Sequence, residues 1–328
     1  MSWLKKFWKP LTWLIAVALV AYVFAITPFT DIIEIFGRLT ILQIGGLALV
    51  NIVIVILFGL RWWWLLRSQG HCIPFLAIVR YRLAAFGVSY FTPGPQFGGE
   101  PLQIYFLRNK HHIPTADALS SLSLDKLFEL LSNFTFLAIG IIYIFSGGFL
   151  ELGENVALLA LIAVLAILPW GYLVLLFFSV KPITQAAKTL CSLKPDNKKL
   201  QAISDTIRES ESQIASYCQS NTLGMVGIMF LSGIVWLVLV FEYWLALRFL
   251  GVEIAFGNTM VFITAARLAF LTPLPGGLGS LEISQVIAAG ALGIGTEVGA
   301  SIGLLIRIRD IVFGLIGLLW GGILTRRF

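Results

Sequence analysis

Six long apolar stretches constrain this chain more than any other feature of its sequence. Each is long enough to supply the ~20 residues that an α-helix needs to cross a bilayer. The chain has 328 residues, of which 58% are hydrophobic and 12% charged, whereas about a quarter of the residues are charged in a typical soluble domain. We therefore predict an all-α polytopic membrane protein with about six full transmembrane helices, near residues 11–28, 41–64, 127–146, 156–179, 223–247 and 298–324.

Two further apolar regions, residues 75–107 and 259–294, are interrupted near their middle by proline and glycine. Proline removes a backbone donor and breaks a helix, and lipid offers no partner for the freed backbone groups. Each arm is also too short to span a bilayer comfortably. We predict two re-entrant broken-helix hairpins, shielded by protein or by a water-filled cavity.

The two halves of the chain repeat one plan in opposite orientations. Residues 1–150 read helix, helix, broken hairpin, helix, and residues 151–328 read the same with every direction reversed. The hairpins are also similar in sequence, "RLAAFGVSYFTPGPQFGGE" against "RLAFLTPLPGGLGSLE", although the spacing from arginine to threonine is ten residues in the first and five in the second. Interrupted segments at matching places of an inverted repeat are typical of transporters with a site near the bilayer midplane. We predict a single membrane domain, residues 1–328, built as such a repeat.

The loop lysines and arginines predict the orientation. Nearly all of them fall in residues 1–10, 61–74, 108–126, 180–222 and 325–328, whereas the opposite loops hold Arg38 and Arg248. The positive-inside rule then predicts a multi-pass protein of the bacterial plasma membrane with both termini in the cytoplasm. The stretch "RWWWLLR", residues 61–67, fits an aromatic belt at the cytoplasmic surface.

Residues 180–222 form the largest polar stretch. Apolar residues recur in it at helical spacing, which predicts an amphipathic cytoplasmic helix on the bilayer surface or on the inner face of the protein. The N-terminal apolar run, Leu11 to Ile26, also fits a cleaved signal peptide. The repeat requires a retained helix there, so we expect a signal anchor.

The two hairpin breaks are the first candidate binding site. Freed N–H groups and the positive end of a helix dipole can face an anionic group, and glycine lets the backbone approach a ligand closely. The alternative is a pair of tight turns packed against neighbouring helices with no ligand. The candidate substrate-binding residues are Thr92, Pro93, Gly94, Gly98, Gly99 and Glu100 in the first break and Thr272, Pro273, Pro275, Gly276, Gly277, Gly279 and Glu282 in the second.

Charged residues inside apolar segments complete the candidate site. An ionisable group at the centre of a bilayer costs at least ~2.5–3.5 kcal/mol on insertion scales, so it should face a partner or a cavity. Arg307 and Asp310 are three residues apart on one helical face, and we predict that they pair. Arg309 is then available for a substrate phosphate or a hairpin glutamate. A structural ion-pair network that locks the halves together is the alternative for this set, which comprises Arg82, Arg267, Arg307, Arg309 and Asp310.

Other polar residues and glycines are assigned structural roles. Asp125 is predicted at a helix start, beside a local pair between Lys126 and Glu129, and Glu242 is predicted near the outer interface. Close helix packing accounts for the glycines at 314, 317, 321 and 322.

The sequence offers little for enzyme chemistry. Its three cysteines have no CxxC spacing and its three histidines are in loops, so we expect no metal and no cofactor. It has no P-loop, no nucleophile–base pair and no Asp-rich metal motif. The net charge of +6 follows from topology rather than from a nucleic-acid partner. We expect a protein that is not an enzyme.

Three motifs together resemble the flippase-like transmembrane domain of lysylphosphatidylglycerol synthases. They are "TPGPQFGGEP" at 92–101, "TPLPGGLGSLE" at 272–282 and "RIRD" at 307–310, and the resemblance covers nearly the whole chain. It implies movement of lipids with charged or phosphate-bearing headgroups between leaflets, along a path lined by the hairpin glycines, Glu100, Glu282 and the arginines. The family pattern has a further glycine near Gln96. The chain ends at Phe328 without a soluble aminoacyltransferase domain, so we do not expect it to synthesise lysyl-lipid.

These observations lead to one principal hypothesis and three alternatives. The principal hypothesis is a lipid flippase or scramblase without its own ATPase, whose partners are membrane lipids of the phospholipid or polyprenyl-phosphate class. The alternatives are a secondary transporter of a small anionic solute, a membrane enzyme acting on lipid-phosphate substrates, and a non-transporting assembly partner. Self-association into a homo-oligomer is left open.

Overall fold

The structure is a computed structural model that describes residues 34, 36–37, 39–92, 98–148, 156–192, 198–272 and 274–326. Its regular elements in that part of the chain are helices, with no strand. The predicted helix at 11–28 lies outside the described residues. The α-helices are α1 Ile41–Ser68, α2 Phe75–Phe91, α3 Glu100–His111, α4 Thr115–Ser146, α5 Val156–Phe177, α6 Pro182–Ser192, α7 Lys198–Ser220, α8 Thr222–Phe249, α9 Thr259–Phe270, α10 Ser280–Ala291 and α11 Thr296–Arg326.

Three of these helices, α1, α4 and α8, are long and apolar enough to cross a membrane. The end of α5 and the start of α6 meet at 91° and together are apolar enough for a broken span or a re-entrant loop. Helix α11 has 31 residues and contains the charged "RIRD" segment at 307–310. The described residues thus contain three or four apolar spans, and the predicted membrane-spanning, all-helical class is confirmed.

Both interrupted apolar regions fold as two helices separated by a break. Helices α2 and α3 flank the first, and α9 and α10 flank the second, which contains a 3₁₀ turn at Pro275–Gly277. The first break begins at Thr92, whose extended backbone (ψ 139°) is what a following proline favours. In the second break the backbone is left-handed at Gly276 and Gly277, with φ of 54° and 62°, a region that glycine enters without steric cost.

The helix that precedes each break, which we call the first arm of the hairpin, packs along a long helix from the other half of the chain. Helix α2 lies against α11 and α9 lies against α4, while α1 packs on α8. A Cβ at Gly317 would overlap the carbonyl oxygen of Leu83, and one at Gly87 would overlap the backbone at Gly314. The predicted close packing is therefore confirmed for these α11 glycines. It is not seen at Gly322, where a Cβ would meet nothing within 4 Å.

The polar segment 180–222 forms two helices, α6 and α7, where we predicted one. The C-terminal half of α7 is docked on the protein, because Ile214, Tyr217 and Cys218 are buried against α4, α5 and α8. The Ser210 hydroxyl also donates to the Ala116 carbonyl at the start of α4. At the other end of α7, Ile203 is 57% exposed. The amphipathic character is confirmed, and α7 contacts the protein itself.

Candidate functional site

Arg307 on α11 joins the two broken helices. Its Nε and Nη2 donate to the two carboxylate oxygens of Glu282 at 2.9 and 3.0 Å. It also donates to the hydroxyl of Tyr90, just before the first break, at 3.0 Å. The carbonyls of Gly276 and Gly277 in the second break complete its partners. We call this group the Arg307 cluster, and it holds the second break against the end of α2.

The predicted pair between Arg307 and Asp310 is wrong. The guanidinium of Arg307 is occupied by Glu282, Tyr90 and the carbonyls of the second break. Asp310 instead accepts from its neighbour Arg309. Because Arg307 is 7% exposed and saturated with acceptors, its contacts are those of a structural tie between the hairpins.

The glutamates of the hairpins occupy the helix N-termini that we expected a ligand to face. Oε2 of Glu282 accepts from the N–H of Gly279 at 2.8 Å, at the start of α10. Oε2 of Glu100 accepts from the N–H of Gly98 at 2.8 Å, at the start of α3. The N–H of Gly99 donates to the Ser89 hydroxyl. These three N–H groups therefore have partners within the chain, and binding of an anionic ligand by the breaks stays a prediction.

A larger ionic group surrounds Asp125 on α4, and we call it the Asp125 cluster. Asp125 is 1% exposed and accepts from Arg61 Nε at 2.7 Å and from Arg82 Nη1. Both arginines also reach Glu129, at 3.3 and 3.1 Å. Lys126 links Glu129 to Glu100 of the first hairpin, at 3.4 and 3.3 Å. Three cations and three carboxylates thus tie α1, α2, α3 and α4 together.

The predicted placement of Asp125 at a helix start is wrong, because α4 begins ten residues earlier at Thr115. The predicted local pair between Lys126 and Glu129 is confirmed. The stretch at 61–67 is not simply an interfacial belt, since Arg61 and Trp62 are 1% and 0% exposed. The helical spacing of Asn51, Ile54 and Arg61 is a sequence signal for the burial of Arg61, because all three lie on the buried face of α1.

A third group, the Glu242 cluster, comprises Glu242, Arg309, Asp310 and Asn51. Oε1 of Glu242 accepts from the Asn51 amide at 2.9 Å and from Arg309 Nη1. Arg309 also pairs with Asp310 at 2.8 Å. The prediction that Arg309 is available for a phosphate or for a hairpin glutamate is therefore wrong. Sequence reasoning named Glu242 but missed its partners, since this glutamate is 4% exposed and joins α8 to α11.

Arg267 on α9 differs from the arginines of these three clusters. None of the ion pairs among the described residues includes it, and its guanidinium lies over the Trp236 ring at 4.7 Å. Trp236 in turn stacks on Phe136 at 3.9 Å between ring centroids. Arg267 is partly exposed and interacts through space with Glu129 of the Asp125 cluster and with Asp310 of the Glu242 cluster. It therefore lies between the two clusters without a carboxylate of its own.

The two hairpin threonines end the first arms. The Thr92 hydroxyl donates to the Val88 carbonyl at 2.9 Å, and the Thr272 hydroxyl donates to the Ala269 carbonyl at 2.6 Å. Pro93, Gly94 and Pro273 lie outside the described residues. No group of three His, Cys, Asp or Glu side chains in the described ranges is arranged to hold a metal ion.

These features define a helical, multi-pass membrane protein with two broken helices beside a polar interior. The chain matches the family described as "Lysylphosphatidylglycerol synthase TM region" over residues 11–317, and it belongs to that family. It is similar to UPF0104 membrane protein MJ1595 of Methanocaldococcus jannaschii, with 21% identity over 269 residues, 79% of this chain and 78% of the relative. No solved structure matches the chain. The resemblance inferred from the hairpin motifs is confirmed.

Proposed function

We propose that this protein moves lipids with phosphate-bearing or otherwise charged headgroups between the leaflets of a membrane, without an ATPase of its own. The headgroup crosses along the polar interior while the acyl chains stay in the bilayer. The observation that carries the proposal is Arg267, a partly exposed interior cation that no described carboxylate pairs with. Intramembrane charge that the fold has not neutralised is a default marker of a substrate or ion path.

The proposed path runs through an inverted repeat in which α1, α2–α3 and α4 correspond to α8, α9–α10 and α11. The packing supports this, because each first arm lies against the last helix of the opposite half. The arginines of the two first arms also have like surroundings. Arg82 lies over Phe58 of α1 at 5.0 Å, and Arg267 lies over Trp236 of α8 at 4.7 Å.

The ion pairs support the same correspondence, with their charges exchanged. Arg61 and Glu242 are each the 21st residue of their helix, α1 and α8. Arg61 pairs with carboxylates of α4, whereas Glu242 pairs with an arginine of α11. In each proposed half, a buried ion pair thus joins the first of these helices to the last, α1 to α4 and α8 to α11.

The polar interior lowers the cost of moving a headgroup. A lone ionised group in hydrocarbon is prohibitively expensive, and a fixed guanidinium with adjacent carboxylates replaces part of the lost hydration. The sequence has no phosphate-binding P-loop, so lipid gradients, the membrane potential or ions would supply the driving force. Location in a bacterial plasma membrane with both termini in the cytoplasm is part of the same proposal, as is a non-enzymatic role.

The test is lipid translocation in proteoliposomes with fluorescent anionic phospholipids. Arg267→Gln removes the cation that no described carboxylate neutralises, so we expect translocation to slow by about tenfold or more, the scale of a lost charge-assisted hydrogen bond. Arg248→Gln is the matched control, because Arg248 also lies over a tryptophan, Trp244, at 5.1 Å but is exposed at the end of α8. It should translocate like the parent protein.

Equal rates for both variants and the parent would exclude Arg267 from the path. Uptake of a soluble organic anion by lipid vesicles, abolished by Arg267→Gln with no change in lipid movement, would instead establish the anionic-solute transporter.

A further inference from the structure

In the Glu242 cluster, two carboxylates share one guanidinium. Arg309 donates to Glu242 through Nη1 and to Asp310 through Nε and Nη2, the last two at 2.9 and 2.8 Å. Glu242 is 4% exposed and Asp310 5% exposed. The cluster therefore carries one negative charge more than its own cation neutralises. By contrast, the Asp125 and Arg307 clusters contain equal numbers of cations and carboxylates.

One buried carboxylate oxygen of this group has no hydrogen-bond donor among the described residues. Oε1 of Glu242 accepts two hydrogen bonds, but no donor among the described residues reaches the buried Oε2. Several neutral side-chain atoms are also buried without a partner in the described residues, but Oε2 of Glu242 is the carboxylate oxygen among them, and an unpaired carboxylate oxygen is among the most expensive groups to bury. A proton bound to this group would neutralise the excess negative charge and remove the unpaired carboxylate oxygen.

Among the described residues, no cation other than Arg309 forms an ion pair with Glu242 or Asp310. On α8 itself the neighbour is Tyr243, and α1 contributes the neutral amide of Asn51. Helix α11 adds Arg307, whose guanidinium is committed to Glu282. Helix α9 contributes Arg267, which interacts through space and makes no described contact with either carboxylate. Helix α4 contributes Glu129, a further negative charge that also interacts with Arg267.

We propose that Glu242 and Asp310 together bind one exchangeable proton, and that this proton couples lipid movement to the proton gradient. An O–H bond forms on one carboxylate oxygen with a proton taken from water, and the same proton returns to water on release. Two carboxylates held at one site share a single proton because both cannot ionise at low cost. No oxidant, metal or further reactant is needed.

The coupling rests on the proposed function and follows from the position of Arg267. With the pair deprotonated, its excess negative charge offsets Arg267 through space and weakens the attraction of Arg267 for an anionic headgroup. With the pair protonated, the positive charge of Arg267 is available. The proton and the anionic headgroup therefore bind together. The site then has little net charge both when it is empty and when it holds the proton and the headgroup, which is the least costly arrangement in a low-dielectric interior.

Infrared spectroscopy of the purified protein tests the proton site without any lipid movement. We expect a carbonyl band from a protonated carboxyl group that disappears as the pH is raised. It should be absent from Glu242→Gln and also from Asp310→Asn, because in each variant the remaining carboxylate faces Arg309 one to one and stays ionised. Glu253→Gln, which alters an exposed loop carboxylate, should keep the band.

Both variants remove excess buried charge, so each should fold, and size-exclusion elution and helical circular dichroism report this. Either folded variant is sufficient for the comparison. Absence of the band from the parent protein over the whole pH range in which it is folded would overturn the site. Persistence of the band in both variants would do the same.

Proteoliposomes with a pH difference across the membrane test the coupling. For one coupled proton, the steady-state ratio of labelled anionic lipid between leaflets should shift by up to about tenfold per pH unit. In Glu242→Gln this ratio should not depend on the gradient. A parent protein that moves lipid with no response to the gradient refutes the coupling. A parent protein that moves no lipid refutes the proposed function, whereas the proton site is then judged by the infrared band alone.

Discussion

Replacing Asp125 by asparagine removes the carboxylate that two arginines share in the Asp125 cluster. Asp125 is 1% exposed, and its principal partner Arg61 is 2% exposed, so the change leaves buried positive charge without its counterion. Removing one partner of a buried ion pair costs about 3–5 kcal/mol. With the usual unfolding entropy per residue, this lowers the thermal midpoint of a 328-residue chain by about 4–7 °C.

Glu129→Gln is the matched control, since it lies one helical turn further along α4 and contacts the same two arginines. Glu129 is 36% exposed, so water screens its ion pairs, and we expect a loss of about 0–1 kcal/mol. The measurement is thermal unfolding of both variants in one detergent, followed by circular dichroism. Equal shifts for the two variants would refute the reasoning, because the expected difference rests on the deeper burial of Asp125.

Two shorter predictions concern packing and thiol chemistry. Gly317→Ala should lower the free energy of unfolding by about 1–3 kcal/mol through overpacking against the carbonyl of Leu83, whereas Gly322→Ala should be neutral or slightly stabilising. Thermal unfolding measures both variants, and equal midpoints would contradict the packing argument. A maleimide should modify the exposed Cys72 well before the buried Cys218, because burial raises the pKa of the Cys218 thiol to about 11 and leaves little thiolate at neutral pH. Labelling of Cys218 should increase as the pH is raised, and mass spectrometry locates the modified residue; equal rates at neutral pH would show that α7 is not docked.

The helices and their breaks could be predicted from the sequence because their causes are local. A stretch such as 223–247 is apolar over a full bilayer thickness, and α8 forms there. The breaks coincide with proline and glycine, which act on the backbone at their own positions. The start of α4 was misplaced because the polar residues at 115–126 resemble a loop. They remain helical since one face, with Ala118, Leu122 and Asp125, is buried.

The partners of the charged side chains could not be predicted in the same way. Helical spacing correctly places Arg307 and Asp310 on one face, yet it cannot show that Glu282 lies closer to Arg307 across the helix interface. Pairing is decided by tertiary distances, and a carboxylate that also caps α10 is held in position for the arginine. The same limitation applies to Glu242, whose partners are on α1 and α11.

The exposure of the ionic groups indicates which helices are rigidly joined and which can move relative to each other. Arg307 is buried and has several acceptors in the second hairpin, so separating that hairpin from α11 would strand a charge at a cost of several kcal/mol. The first hairpin is tied to α4 by Glu100 and Lys126, which are 22% and 26% exposed, and such a pair contributes about 0–1 kcal/mol. Because water can replace the second contact and not the first, rearrangement of the described ion pairs is least costly where α3 meets α4. A conformational change that admits a headgroup would therefore move the first hairpin more readily than the second.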